Sequence, residues 1–114
     1  MNLNNAAAEI GISVEAYKRL CSLFIENTDN DIVKLKEACD ANRLQDAADI
    51  AHHIKGAASN MDFLQLADTA KQLQLKALNS LNDTPALRES YEELVALYGS
   101  IKTEIEAQLW IKFL

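Results

Sequence analysis

The chain has 114 residues, of which 49% are hydrophobic, with three glycines, one proline and a formal net charge of −6. That length suits one domain with a single core. The scarcity of Gly and Pro beside abundant Ala, Leu, Glu, Lys and Gln argues for helix. The negative charge disfavours nucleic acid, whose phosphates need clustered Lys and Arg. No run of about twenty apolar residues is present to span a membrane. The start, Met1-Asn2-Leu3-Asn4-Asn5, lacks the basic flank and apolar centre of a secretory signal.

Leu3, Ala6, Ala7 and Ile10 recur at helical spacing and predict a short amphipathic helix, with Gly11 as its stop. Ser13 is a good cap for the next helix, which carries Val14, Tyr17, Leu20, Cys21, Phe24 and Ile25 on one side. Asn27-Thr28-Asp29-Asn30 reads as a polar break. A third helix is expected after it, using Ile32, Leu35, Ala38 and Cys39 and ending near Asn42. Cys21 and Cys39 thus fall on apolar stripes of two separate expected helices. Two buried thiols in a reducing cytoplasm are the expectation, with a disulfide as the lesser alternative.

The helix from Leu44 to about Asn60 carries the chemistry. At about 100° per residue, Ala47, Ile50, Ala51, Ala57, Ala58 and Met61 lie within roughly 60° of Ile54 and form an apolar stripe. Gln45, Ala48, Asp49, His52, Gly56 and Ser59 lie opposite, with Lys55 at the edge and His53 on the flank. His52 stands roughly 160° from the stripe centre and is expected to meet water. Ala48 one turn before it and Gly56 one turn after it leave the ring between two bare turns. A glycine inside a helix costs about 1 kcal/mol relative to Ala. One that faces outward is explained by something approaching from outside. Lys55, at i+3, adds a cation. A nucleophilic ring nitrogen, a nearby ammonium and open space suit acceptance of a phosphoryl group from a docking partner. A metal is not expected. Adjacent residues on a helix diverge by about 100°, so His52 and His53 cannot readily share an ion, and no further ligand lies at a fitting spacing.

The run His52-His53-Ile54-Lys55-Gly56-Ala57-Ala58, preceded by Ala51 and followed by Met61, resembles the signature of histidine-containing phosphotransfer domains. These are the helical-bundle carriers of multistep two-component phosphorelays. The resemblance extends weakly over most of the chain, through a first bundle helix with Phe24 and a short helix ending before Asn42-Arg43-Leu44. It departs after Met61, where the family usually has Gly and this chain has Asp62. Asp62 reads here as the N-cap of the next helix, with Gln65 completing a capping box and Asn60 in the left-handed conformation that ends the His helix.

The next helix is expected from 63 to about 81 on a stripe of Phe63, Leu66, Ala70, Leu73, Ala77 and Leu81, with Lys71 and Lys76 off it. Asn82-Asp83-Thr84-Pro85 is a turn, with Thr84 as cap and Pro85 at the first helical position. The last helix uses Leu87, Tyr91, Leu94, Val95, Tyr98, Ile101, Ile105 and Leu109. Gly99 interrupts it, which suggests a kink or close packing. The apolar end, residues 109–114, is expected to fold back on the bundle; left exposed, it would favour association. The expected fold is all-α: an up-and-down bundle of four main helices with one or two accessory helices, residues 1–12 forming an N-terminal accessory helix and 13–114 the bundle.

Without a Gly-rich phosphate loop, the chain is expected to be a phosphocarrier and not a kinase. The resemblance implies that His52 takes a phosphoryl group from a receiver-domain aspartate and hands it to another receiver. Lys55 would offset the charge, and Ala48, Asp49, Gly56 and Ser59 would meet the partner. An imidazole titrates near 6.5, so much of it is neutral and nucleophilic at cellular pH. The implied partners are the receiver domains of a hybrid sensor kinase and of a response regulator. The Mg²⁺ of such reactions is implied to come from them, so no cofactor is assigned to this chain. A cytoplasmic monomer is expected. His53 is the competing acceptor. The rival readings are a non-transferring adaptor or inhibitor on the same bundle, and the histidine-bearing domain of a larger kinase. Met1 and the lack of linker residues at either end point weakly to a free-standing protein.

Overall fold

The computed structural model describes residues 2–79 and 84–111. It is all-α, with α1 Leu3–Glu9, α2 Val14–Asp40, α3 Leu44–Asn60, α4 Leu64–Asn79 and α5 Thr84–Ile111. Helices α2 to α5 form an up-and-down four-helix bundle, and α1 is an accessory helix packed on α2. Neighbours in sequence are neighbours in space, and α5 returns to α2 to close the ring. The most extensive packing is between α3 and α4. Their facing sides carry the buried alanines 47, 51 and 58 on α3 and 67, 70 and 77 on α4. No described helix is long and apolar enough to cross a membrane.

The expected break at Asn27-Thr28-Asp29-Asn30 does not occur. Helix α2 runs unbroken for 27 residues. Thr28 is buried, while Asn27 and Asn30 face solvent. Asp29 joins α2 to α5: the Tyr98 hydroxyl lies 2.7 Å from its Oδ1, and the Lys102 Nζ donates to its Oδ2 at 2.9 Å. The Tyr98 hydroxyl also lies 3.1 Å from the Ile25 carbonyl. Polar residues cost only a few tenths of a kcal/mol each inside a helix. Extending a formed helix is cheap compared with nucleating a new one, and these long-range bonds favour continuity. One consequence is that Cys21 and Cys39 lie on the same helix, about 27 Å apart by its rise. Both are free thiols. Burial pushes both upward from the usual thiol range, so they stay protonated.

Three helices end in the same way. After α1, α2 and α3 the chain takes one left-handed residue: Gly11 at φ 75°, Asn42 at φ 56° and Asp62 at φ 61°. The following amide then reaches back to the last turn: Ile12 N–H to Ala7 O at 3.1 Å, Arg43 N–H to Ala38 O at 2.8 Å and Phe63 N–H to Ala58 O at 2.9 Å. This is the Schellman arrangement, which satisfies carbonyls that the helix end leaves orphaned. Asp62 is therefore the terminating residue of α3 and not the N-cap of α4, and Asn60 is the last residue of α3. Glycine adopts this conformation without strain, and a short polar residue such as Asp or Asn is the usual substitute. The start of α2 is as expected, with Ser13 Oγ accepting from the Ala16 amide at 3.1 Å.

Gly99 lies within α5, and among the described residues no neighbouring heavy atom comes within 4 Å of the position a Cβ would take, so close packing with them does not explain it. Thr84 is the first residue of α5, and Pro85 the second. The expected turn at Asn82-Asp83, the end of the α4 stripe at Leu81 and the apolar tail from Lys112 to Leu114 lie outside the described residues. Leu109, at the start of that tail, packs against the core.

Two predictions follow from these contacts. Asp62→Gly relieves the left-handed strain and should raise unfolding stability by about 1 kcal/mol, read from urea denaturation. Burial alone would raise the Asp29 carboxyl, but the hydrogen bonds from Tyr98 and Lys102, with the lysine's charge, outweigh it and hold the group below its ordinary 3.8. A lowered folded value means that the contribution to stability is complete above the ordinary value and is lost as pH falls through the folded one. Urea midpoints measured across the acid range should therefore fall with pH, and in Asp29→Asn they should start lower at neutral pH and fall less steeply.

Candidate functional site

The geometry of α3 decides the site. Ala47, Ala51, Ile54 and Ala58 are fully buried, and Met61 at the helix end is buried with them. Fully burying an Ile side chain is worth about 1.5–3 kcal/mol. Turning the helix to hide His52 would expose this stripe and push Asp49 towards the core. The burial of α3 therefore fixes which residues look out: His52, His53, Asp49, Gly56 and Ser59 are all exposed, as is Gln45.

His52 has no hydrogen bond or ion pair to any described residue. One turn on, a Cβ built at Gly56 would meet nothing within 4 Å among the described residues, so no packing need among them explains this glycine. The space above the turn is open to a visitor. Lys55 is half-buried and has no ion pair among the described residues, so its ammonium is uncommitted. Ser59 lies exposed two turns beyond the ring. Asp49 is exposed, and its Oδ1 accepts from Gln45 Nε2 at 2.9 Å, which draws the carboxylate towards the start of the helix.

Ala48 is a correction. Expected on the open face, it is only 2% exposed and belongs to the core. Its place lies about 120° from the stripe centre, on the flank away from α2. There α4 packs closely enough to cover a methyl group. Ala48 therefore keeps bulk away from the ring's neighbourhood but offers no surface for docking.

The two histidines are not equivalent. His53 Nδ1 pairs with the carboxylate of Asp31 across the α2–α3 contact. Asp49 lies one turn before His53 on the same flank, so His53 sits among carboxylates. His52 has Lys55 at i+3 instead. Asp31 is the residue that reading the sequence missed. With α2 taken as continuous, Asp31 and His53 stand equally far from the turn at Asn42, and antiparallel packing brings them level. The false break at residues 27–30 hid that symmetry. Among the described residues, no group of three His, Cys, Asp or Glu is placed to hold a metal ion.

A family model described as Hpt domain matches residues 19–108, a stretch that takes in most of α2, all of α3 and α4, and most of α5. No curated protein and no solved structure matches the chain significantly.

The open space at Gly56 makes a prediction about the isolated protein. Gly56→Ala should fold normally and gain about 0.5–1 kcal/mol from the helix preference of alanine, measured by urea or thermal unfolding. Loss of stability would mean that the glycine serves the bundle itself.

Proposed function

We propose that this chain, which belongs to the Hpt domain family, accepts a phosphoryl group on His52 from the aspartyl phosphate of one receiver domain and passes it to the aspartate of another. Domains of this family are phosphocarriers and not enzymes, and they work against receiver domains. The observation that carries the assignment to His52 is its free, outward ring beside the empty turn at Gly56, while the neighbouring His53 is held by Asp31.

The chemistry asks little of this chain. A neutral ring nitrogen attacks phosphorus, an N–P bond forms, and the P–O bond to the aspartate breaks with the carboxylate as leaving group. Reversal onto a second aspartate restores the imidazole. Holding the ring on a rigid helix with room above it lets the partner's reacting group come into line. Lys55 offsets the charge of the bound phosphoryl group. Asp49 and Ser59 form the rim that meets the receiver. A phosphoryl group on His53 would instead lie against the carboxylates of Asp31 and Asp49. This reading places the carrier in the cytoplasm, between the receiver of a hybrid sensor kinase and that of a response regulator.

The test is incubation with phosphorylated receiver domains and mapping of acid-labile, base-stable label. His52→Gln should abolish uptake with the helical circular dichroism spectrum unchanged, and His53→Gln should keep it. The opposite pattern would move the acceptor to His53. Gly56→Glu should cut uptake by roughly tenfold or more, through bulk and repulsion from the receiver's acidic pocket. Normal transfer by that variant would remove the docking role of the open turn.

A further inference from the structure

Helix α4 has a second exposed face that the bundle leaves unused. Leu64, Asp68, Lys71, Leu75 and Leu78 alternate spacings of four and three, the repeat of a coiled-coil seam. The face is open: Leu64, Leu75 and Leu78 are 64%, 42% and 48% exposed. All five residues point away from the buried stripe of Leu66, Ala70, Leu73 and Ala77. Asp68 and Lys71 form no ion pair with each other or with any other described residue, so their charges are uncommitted. An apolar seam with two free opposite charges at its centre is an unusual solvent face.

We infer that this face pairs with the same face of a second copy of the chain, with the two α4 helices antiparallel about a two-fold axis. Four of the five residues, Leu64, Asp68, Lys71 and Leu75, are self-complementary in one register, and Leu78 lies beyond them. In an antiparallel pair, the two seam positions of the repeat lie opposite each other. Setting Leu64 against Leu75 of the second copy brings Asp68 against its Lys71. The two-fold repeats both layers, so two leucine layers enclose two ion pairs. Sliding the helices by one heptad instead sets Lys71 against Leu75 and Asp68 against Leu78, which buries charges without partners. The seam is only about three turns long, so the dimer is weak and forms as concentration rises. This revises the monomer expected from the sequence, and it stands independently of the phosphotransfer reading.

Sedimentation velocity of the purified chain from about ten micromolar to about one millimolar should show a monomer passing to a dimer. Asp68→Lys, which sets Lys against Lys, should raise the dissociation constant by about tenfold or more. The double variant Asp68→Lys with Lys71→Asp should restore association, because the charges still alternate across the axis. Circular dichroism shows whether each variant keeps its helices, and the double variant guards against a mere folding defect. A chain that stays monomeric throughout overturns the dimer and leaves this face to a different partner, such as a receiver domain. A double variant that associates no better than the single one overturns the register.

Discussion

Burial of one side of α3 is the constraint on which the rest depends. Ala47, Ala51, Ile54, Ala58 and Met61 leave water together, and a rigid helix cannot rotate one residue without rotating all. The small side chains on α3 and α4 let the two helices approach closely, so that even Ala48 on the flank is covered. Everything on the opposite side is then held outward. His52 faces solvent with no hydrogen bond or ion pair to any described residue, because the scaffold orients the helix and the helix orients the ring. The phosphotransfer proposed for His52 needs this: a ring that is fixed in direction yet unencumbered.

The bundle that supports this face is tied together by polar contacts that pattern alone would assign to loops. Asp29 receives bonds from both Tyr98 and Lys102, and so fastens α2 to α5. Asp31, two residues on, turns to α3 and pairs with His53. Two carboxylates on one helix thus serve two different neighbours. The second has a chemical result. It occupies one histidine of the adjacent pair and leaves the other available, so the difference between His52 and His53 depends on α2 as much as on α3.

Membership of the family and the departure at Asp62 are reconciled by backbone geometry. The position after Met61 is left-handed, which accounts for a preference for glycine there and for Asp as a tolerable substitute. The same conformation ends α1 at Gly11 and α2 at Asn42. The residue at which the chain departs from the family pattern is a helix stop, placed about two to three turns from His52 along the chain.

The all-α class, the start of α2 at Ser13, the limits of α3 and the outward direction of His52, Gly56 and Ser59 were legible in the chain itself. Each follows from local periodicity or from a side chain that acts on its own backbone. The continuity of α2 was not legible, because Asn27 to Asn30 have weak helix preference, and the groups that hold Asp29 in place come from α5, far along the chain. The same holds for Ala48, whose burial depends on how closely α4 approaches, and for the Asp31–His53 pair. Sequence determined which residues share a face of a helix, since that depends on a fixed turn per residue. Tertiary structure decided which faces are covered and which charges find partners, since both depend on distances between helices that no local pattern encodes.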